Sequence, residues 1–531
     1  MKLNRKICIL LIFLGIPFAF PIKINYKVTQ INLDNRDLQN SKISSPILIN
    51  DVSPSSNWSV AKAAGICTGN GTYSEPYVIE DLIIDGGGSG SCIYILNSKV
   101  YFRVENCTVY NAGDEISYSI DAGIRFKGVS NGTLIINDCS SNPVIGIYLE
   151  DCYNNTLSGN IVNSNSLGYG IYLDNSHNNT LLGNTANYNG DIGIYLGGSD
   201  NNTISGNIVN DNDRDGILLG GSYNTVSGNL MNECGLRISR SLDSLTSNEI
   251  DVTNLVNGKP LYYYINQVDL GPNNFTNAGQ VLLVNCNDTI VSNLAISFAS
   301  NAISLYYCNN NTISGNTVND NKRDGLYLYK CDSNIISGNN ANNNNFNGIS
   351  GEGDNNTISG NIVENNIYDG ISIGGSYNNI LGNAANYNGD DGISIGYPIT
   401  GGFRSGGKYN IIIGNTASHN GDSGIYLYGE WPYSSGYCTV SGNIANYNSI
   451  GIKLWRYNYN VISGNTLIGN FECIVEIDCQ FNEFSDNGDC TYGQGDGETT
   501  PSPLISGYNI FLLLSILSVV SIIISKKMKK S

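Results

Sequence analysis

The stretch Gly193-Ile194-Tyr195-Leu196, then Asn201-Asn202-Thr203-Ile204-Ser205-Gly206-Asn207, begins again at Gly216-Ile217-Leu218-Leu219. The glycine that opens each unit stands at Gly123, Gly146, Gly170, Gly193 and Gly216, and later at Gly279, Gly325, Gly348, Gly370 and Gly392. Regular steps within both runs are 22 to 24 residues. A second marker keeps fixed phase with the first. It is an Asn, usually preceded by Gly, at Asn137, Asn160, Asn184, Asn207 and Asn229, and again at Asn293, Asn316, Asn339, Asn361 and Asn383.

A unit this short cannot bury an apolar face alone and must stack on its neighbours. Helical repeats run longer, at roughly 33 to 47 residues, and Gly and Asn are poor helix formers. Within a unit, short apolar runs alternate inward and outward between Asn, Gly and Ser, which is the pattern of strand and turn. At ~3.3 Å per residue, one unit makes three short strands around a single-file core, and successive coils stack at ~4.8 Å. The fold predicted is all-β, a right-handed single-stranded parallel β-helix. The Asn markers are read as a structural ladder, because a turn Asn tolerates left-handed angles and its amide offers a donor and an acceptor to adjacent coils.

The domain map follows from this. Residues 1–22, basic and then apolar but short, read as a signal peptide or signal anchor. Residues 23–50 read as a linker, 51–122 as an N-terminal cap and first coils, and 123–484 as the β-helix. Inserted loops are expected near 235–278, 397–408 and 429–437. A spacer (485–503) leads to an apolar run at 504–525 and a basic tail at 526–531 with Lys526, Lys527, Lys529 and Lys530. That run has the length of a transmembrane helix, and its lysines place the tail in the cytoplasm and the body outside. The expected location is the cell membrane, single-pass, with the membrane itself as a partner. A net charge of −18 with few basic clusters excludes nucleic acid as a partner.

Sequon-like triplets such as those at Asn154, Asn178, Asn201, Asn310 and Asn355 are compatible with an extracellular glycoprotein. Cys308 and Cys331 share a position one coil apart, which suggests either a disulfide or stacked small residues; Ser176, Ser199 and Ser222 fall in the same phase.

Two surface features carry candidate chemistry. Tyr148, Tyr172, Tyr195, Tyr327 and Tyr426 recur between inward Ile and Leu, as an outward aromatic strip for stacking on sugar rings or as strand-favouring residues. Asp215, Asp324, Asp369 and Asp391 each precede the unit's glycine, as a carboxylate row for calcium or as ordinary Asp-Gly turn pairs.

The Gly-Ile-x-Leu units with Asn-Asn-Thr-Ile-Ser-Gly-Asn, the Gly71-Thr72 to Ile79 entry, and Val256 to Tyr264 before Ala278 to Cys286 together resemble NosD-like proteins of the CASH type. The resemblance spans roughly Trp58 to Phe484 and implies a pectin-lyase-like solenoid at a cell surface of archaeal type. It favours a surface binding, adhesion or envelope component that meets glycans or other surface proteins. The alternative is a carbohydrate-active enzyme, a polysaccharide lyase or hydrolase. The Gly-His-Gly and Arg-x-Lys signatures of polygalacturonase-type hydrolases are missing, so no catalytic residue is assigned. The nearest acid–base sets are Asp213-Arg214-Asp215 and Lys322-Arg323-Asp324. Copper, which the family name suggests, has few soft ligands to hold it among 2 His and 3 Met.

Overall fold

The computed structural model describes residues 42–113, 120–396, 407–429 and 435–488. They form a right-handed parallel β-solenoid of about 17 turns. One face runs through Ala122–Lys127, Ile145–Glu150, Tyr169–Asp174, Ile192–Gly197 and Asp215–Leu219 to Leu236–Ile238. Adjacent coils pair in parallel and in phase, as with Ile171 on Ile194, Tyr172 on Tyr195 and Leu173 on Leu196. Ile124, Ile147, Ile171, Ile194 and Ile217 therefore make one fully buried column. The phase glycine has a packing cause. A Cβ on Gly193 would lie 2.3 Å from Val209 Cγ1 and 2.6 Å from the Asn212 amide.

After Leu255–Val256 the chain reverses at Asn257-Gly258, and Val256 pairs antiparallel with Lys259. Lys259–Ile265 then opens a second parallel run through Gln280–Val284, Ile303–Tyr306, Leu326–Tyr329, Ile349–Glu352 and Ile371–Gly374. Gln280 splices the two runs. Its amide accepts from the Leu236 N–H at 2.9 Å and donates to the carbonyls of Leu236 and Asn301, both at 2.8 Å, so a side chain stands in for a strand. The 235–278 excursion is thus more ordered than a protruding loop. It holds the helix Leu242–Ser247 and a 3-10 turn, Pro272–Phe275, whose Phe275 is buried against Tyr262 and Tyr264.

The end of the solenoid that precedes the regular coils is covered by the helix Trp58–Ala63, which Asn57 caps by accepting from the Val60 N–H at 3.1 Å. Trp58 stacks on Tyr77 with centroids 4.9 Å apart and donates its indole N–H to Ser98 at 2.8 Å. Lys42–Ser44 and Ile47–Asn50, read from sequence as linker, are strands paired in parallel with Leu82–Asp85 and Ile93–Leu96. The signal segment, residues 23–41 of the linker, the apolar run at 504–525, the basic tail, most of the spacer and the tips of the two later insertions lie outside the described residues. Among the described residues, no helix is long and apolar enough to cross a membrane.

Each ladder Asn is satisfied from both sides. The Asn184 amide donates to Asn207 Oδ1 at 3.0 Å and to the Leu157 carbonyl at 2.9 Å, while its backbone N–H reaches the same Asn207 oxygen at 2.8 Å. These bonds link Asn137, Asn160, Asn184, Asn207 and Asn229 and end on Asn254. Asn316, Asn339, Asn361 and Asn383 repeat them and continue to Asn415. Asn293 does not belong. It is an exposed corner residue at φ +56°, and Leu294 occupies the inward place, donating its N–H to Asn316 at 3.0 Å.

Two further ladders were not anticipated. One joins Asn155, Asn179, Asn202 and Asn224, and the other Asn165, Asn189 and Asn212. Asn202, Asn207 and Asn212 each follow a corner residue in the left-handed region, namely Asn201, Gly206 and Asp211. That corner, then inward Asn, then three-residue strand is the local rule of the coil.

Cys308 and Cys331 are not bridged. Both thiols are free and buried, and the Cys308 N–H donates to Cys331 Sγ at 3.3 Å, as Cys286 does to Cys308. Ser176 and Ser199 do the same work in the first run, with N–H to Oγ distances of 2.9 Å from Cys152 and Ser176. Ser222 falls out of this column, since Gly221 takes the place over Ser199.

Asn207→Ala would strip partners from the Asn184 N–H and amide and from the Leu181 carbonyl. We expect it to cost about 2–4 kcal/mol of stability. Asn293→Ala should cost no more than about 0.5 kcal/mol. Urea unfolding of the two variants, followed by circular dichroism, checks both; equal losses would refute the assignment of the ladder.

Candidate functional site

The outward side of the first run carries one residue per coil, in register: Tyr94, Arg125, Tyr148, Tyr172, Tyr195, Leu218 and Arg237. Three of the expected sugar-stacking tyrosines meet here. Tyr148 stacks on Tyr172 at 5.0 Å, and Tyr172 on Tyr195 at 4.8 Å and 2°. Coil spacing is ring-stacking distance, so the facing ring surfaces of the three tyrosines are spent on one another, with Arg125 5.5 Å over Tyr148 and Leu218 in register beyond Tyr195. Tyr148 is 3% exposed and donates to Asp174 at 3.3 Å. The flat aromatic strip read from sequence is therefore a closed stack. Ring columns missed in the sequence do face solvent at corners, as in Tyr377, Tyr409, Tyr437, Tyr459 and Phe481.

In the second run the same outward column reads Ser304, Tyr327, Ser350, Ser372, Ser394, Tyr426 and Lys453. Tyr327 and Tyr426 are 4% and 5% exposed, separated by three coils of serine. A groove of about 270 Å³ opens beside the splice between the two runs, with Tyr327 and Ser372 of that column in its lining. Arg237, Arg240, Tyr306 and Tyr327 line one end, and Asp369, Ser372 and Asp390 the other. One wall climbs coil by coil through Arg323, Phe346, Tyr368 and Asp390. The Arg323 guanidinium lies 4.7 Å over Phe346, and Phe346 meets Tyr368 at 5.2 Å. Arg240 lies 5.3 Å over Tyr327 and Tyr329.

The floor is a fourth ladder. Side-chain oxygens of Asn301, Asp324, Asn347, Asp369 and Asp391 each accept the backbone N–H one coil on, at 2.9–3.1 Å, ending at Ser423. The Asp row read from sequence thus performs a turn-linking role along the second run. It is also electrostatically divided. Asp215 stands apart, fully buried, accepting from Arg237 Nε at 2.8 Å with Arg323 at 3.9 Å. Burial pushes its carboxyl up, but the two arginines outweigh that and hold it below the usual range. Asp324 is raised by burial despite Arg323 and its bonds to Asn347. Asp369 and Asp391 come together with Asp390, a neighbour the sequence reading had not named, although Gly389-Asp390-Asp391-Gly392 doubles the acid at that turn. Burial and then the charge of Asp390 lift Asp369 to about 7. Of the other acid–base candidates, Arg214 is paired with Asp191 at 3.1 Å.

A profile described as periplasmic copper-binding protein (NosD) matches residues 67–266 and 398–488. The chain belongs to the NosD family. A right-handed β-helix region profile matches residues 169–367 and 263–397. Among solved structures, the NosD-type chain aligns with the Azotobacter vinelandii mannuronan C-5 epimerase AlgE4 A-module at 14% identity. That alignment covers 78% of this chain and 92% of the other, with a TM-score of 0.29. The periplasmic alginate epimerase AlgG aligns at 10% identity over 83% of this chain and 84% of its own, TM-score 0.27. A mutant tailspike protein of E. coli bacteriophage HK620 in complex with a pentasaccharide aligns at 11% identity, over 77% and 70%, TM-score 0.23. A search of curated proteins returns no match.

The copper in the NosD description does not fit the donors present. His177 stacks on Tyr153, with its ring nitrogens engaged by Asp200 and Asn175, and His419 is sandwiched between Tyr387 and Tyr447. Met231 is inside the core, and burial pushes the Cys152 and Cys234 thiols up to about 12. Among the described residues, the group able to surround an ion is made of carboxylates, hard ligands that do not select copper.

The Asp215 pair sets a pH dependence. Its folded-state pKa lies below the unfolded value, so its stabilisation is present above about pH 4 and is lost as pH falls through the folded value. Asp215→Asn should cost about 3–5 kcal/mol at pH 7 by leaving Arg237 and Arg323 unpaired. The deficit in urea midpoint relative to wild type should shrink progressively below pH 4; a deficit constant from pH 7 to pH 3 would contradict the assignment.

Proposed function

We propose that this NosD-family chain is a membrane-anchored extracellular β-helix protein that binds carbohydrate in the groove between Tyr327 and Asp390, as an adhesion or envelope component. The observation that carries this reading is the groove itself, where Arg237, Arg240, Arg323, Phe346 and Tyr368 converge and Ser372 stands in place of a tyrosine of the outward column. Phe346 and Tyr368 offer apolar ring surface, and the ring column ends at Tyr368 because Asp390 holds the next place. Carbohydrate recognition needs that mixture, with C–H faces on rings and hydroxyls on charged and amide groups. At about 270 Å³ the groove sits just under the ~300–1,000 Å³ of typical small-molecule sites, which suits a segment of a longer glycan. Arg240 and Arg323 favour a glycan that carries carboxylates. The apolar run at 504–525 with its following lysines supports the anchor and the outward address of the body.

The test is binding of the full chain in detergent to immobilised neutral and uronate-containing oligosaccharides. Tyr368→Ala and Arg240→Ala should each weaken binding about tenfold or more. Tyr172→Ala and Tyr195→Ala should leave it unchanged. No glycan bound, or full binding by Tyr368→Ala, would sink the proposal. Release of new reducing ends or of absorbance from an unsaturated uronate would instead move the groove to a carbohydrate-active enzyme.

A further inference from the structure

The acid end of the groove poses a separate question. Asp369, Asp390 and Asp391 each present an oxygen, and these oxygens lie within 4.8 Å of one another. Asp369 and Asp391 are almost wholly buried, and among the described residues no Lys or Arg forms an ion pair with any of the three. Lys453, whose charge reaches Asp390, is already paired with Asp422 at 2.8 Å. Such a group must hold protons or a cation, since like charges this close cannot all stay ionised in a buried place.

A second observation points the same way. The hydroxyls of Ser394 and Ser423 are fully buried and have no hydrogen-bond partner. Ser423 sits one coil from Asp391, to whose Oδ1 its N–H donates at 2.9 Å. Ser394 is in register with Ser372 and stands three residues after Asp391, as Ser372 stands three after Asp369, but where the Ser372 hydroxyl bonds Asp369 that of Ser394 makes no bond. Two orphan hydroxyls thus sit on residues that adjoin Asp391, one three residues on in the same coil and one whose N–H it accepts. Orphaned polar atoms in a packed interior are costly unless something fills their place.

We propose that Asp369, Asp390 and Asp391, with the hydroxyls of Ser394 and Ser423, form a calcium site at the acid end of the groove. Calcium takes oxygen ligands at roughly 2.3–2.6 Å in flexible geometry, so ligand oxygens up to about 5 Å apart can share one ion. The set holds carboxylates and hydroxyls and no nitrogen or sulfur, which selects a hard cation over copper or zinc. Magnesium demands tighter octahedral geometry and keeps its waters, so an irregular cluster half set in a ladder suits calcium better. Asp390, on the groove wall, leaves the open coordination positions facing the groove. This inference does not depend on the carbohydrate reading, because the site is complete without a glycan.

The experiment uses the full chain in detergent, stripped with a chelator and titrated with calcium chloride alone. Heat of binding and the Tm are the readouts. Wild type should give a saturable heat and a Tm rise of a few degrees at saturating calcium, with magnesium at least about tenfold weaker. Asp390→Asn, at a half-exposed position, should fold and lose both responses. Ser423→Ala should fold and weaken calcium severalfold. A folded wild type that shows neither heat nor Tm shift would overturn the site, as would an Asp390→Asn variant that responds like wild type. A copper response in place of calcium would overturn it too. Glycan binding plays no part in these readouts, so failure here and failure of the carbohydrate reading are told apart.

Discussion

In-register parallel stacking is the constraint on which this protein depends. Each side chain meets, about one strand spacing away, the residue at the same place in the next coil. The chain is therefore selected for residues that are compatible with their own kind. Asn is such a residue, because one amide both donates and accepts, and Asn184 on Asn207 leaves no polar atom of the pair wanting. Tyr is another, since two rings at that spacing stack, as Tyr172 and Tyr195 do. Cys and Ser serve where a backbone N–H needs a small acceptor. Asp is the residue that does not tolerate itself. Arginines surround Asp215 and Asn347 separates Asp324 from Asp369, whereas Asp369 and Asp391 meet directly and burial with like charge pushes both carboxyls up.

Much of this architecture was legible in the sequence, because the period of a parallel solenoid is written once per coil. The glycine phase and the central Asn column needed only counting, save at Gly279, where Gln280 holds the glycine's place before Val281, and at Asn293. Asn293 misled because corner and ladder residues are adjacent, and Asn is at home in both; only the backbone angle distinguishes Asn293 from Leu294. The two other Asn columns went unseen for a related reason. In triplets such as Asn201-Asn202-Thr203 the first Asn is an exposed corner and the second a buried ladder member, and the sequon pattern drew attention to the first. The cysteines shared a position, but sequence cannot tell a bridge from an N–H to sulfur bond.

The groove was less legible, and its signal was a subtraction. The outward tyrosines are visible one by one, yet what matters is where the column lacks them, as at Ser372 in the groove lining. A stack of tyrosines is closed against ligands by its own spacing, so a gap in the stack is what exposes ring and cation surfaces. The arginines that frame the gap come from two runs of the solenoid, Arg237 and Arg240 from one and Arg323 from the other. That convergence rests on the Gln280 splice, which no spacing rule announces.

The serine run also fixes how this surface can change over time. Because one position per coil decides whether the column is filled or hollow, cavity length is quantised in whole turns. Duplication or deletion of a single turn would lengthen or shorten the hollow by one strand spacing while the ladders on either side re-form unaltered. A scaffold built this way can retune the reach of its binding surface through changes in gene length, with its interior chemistry left as it was.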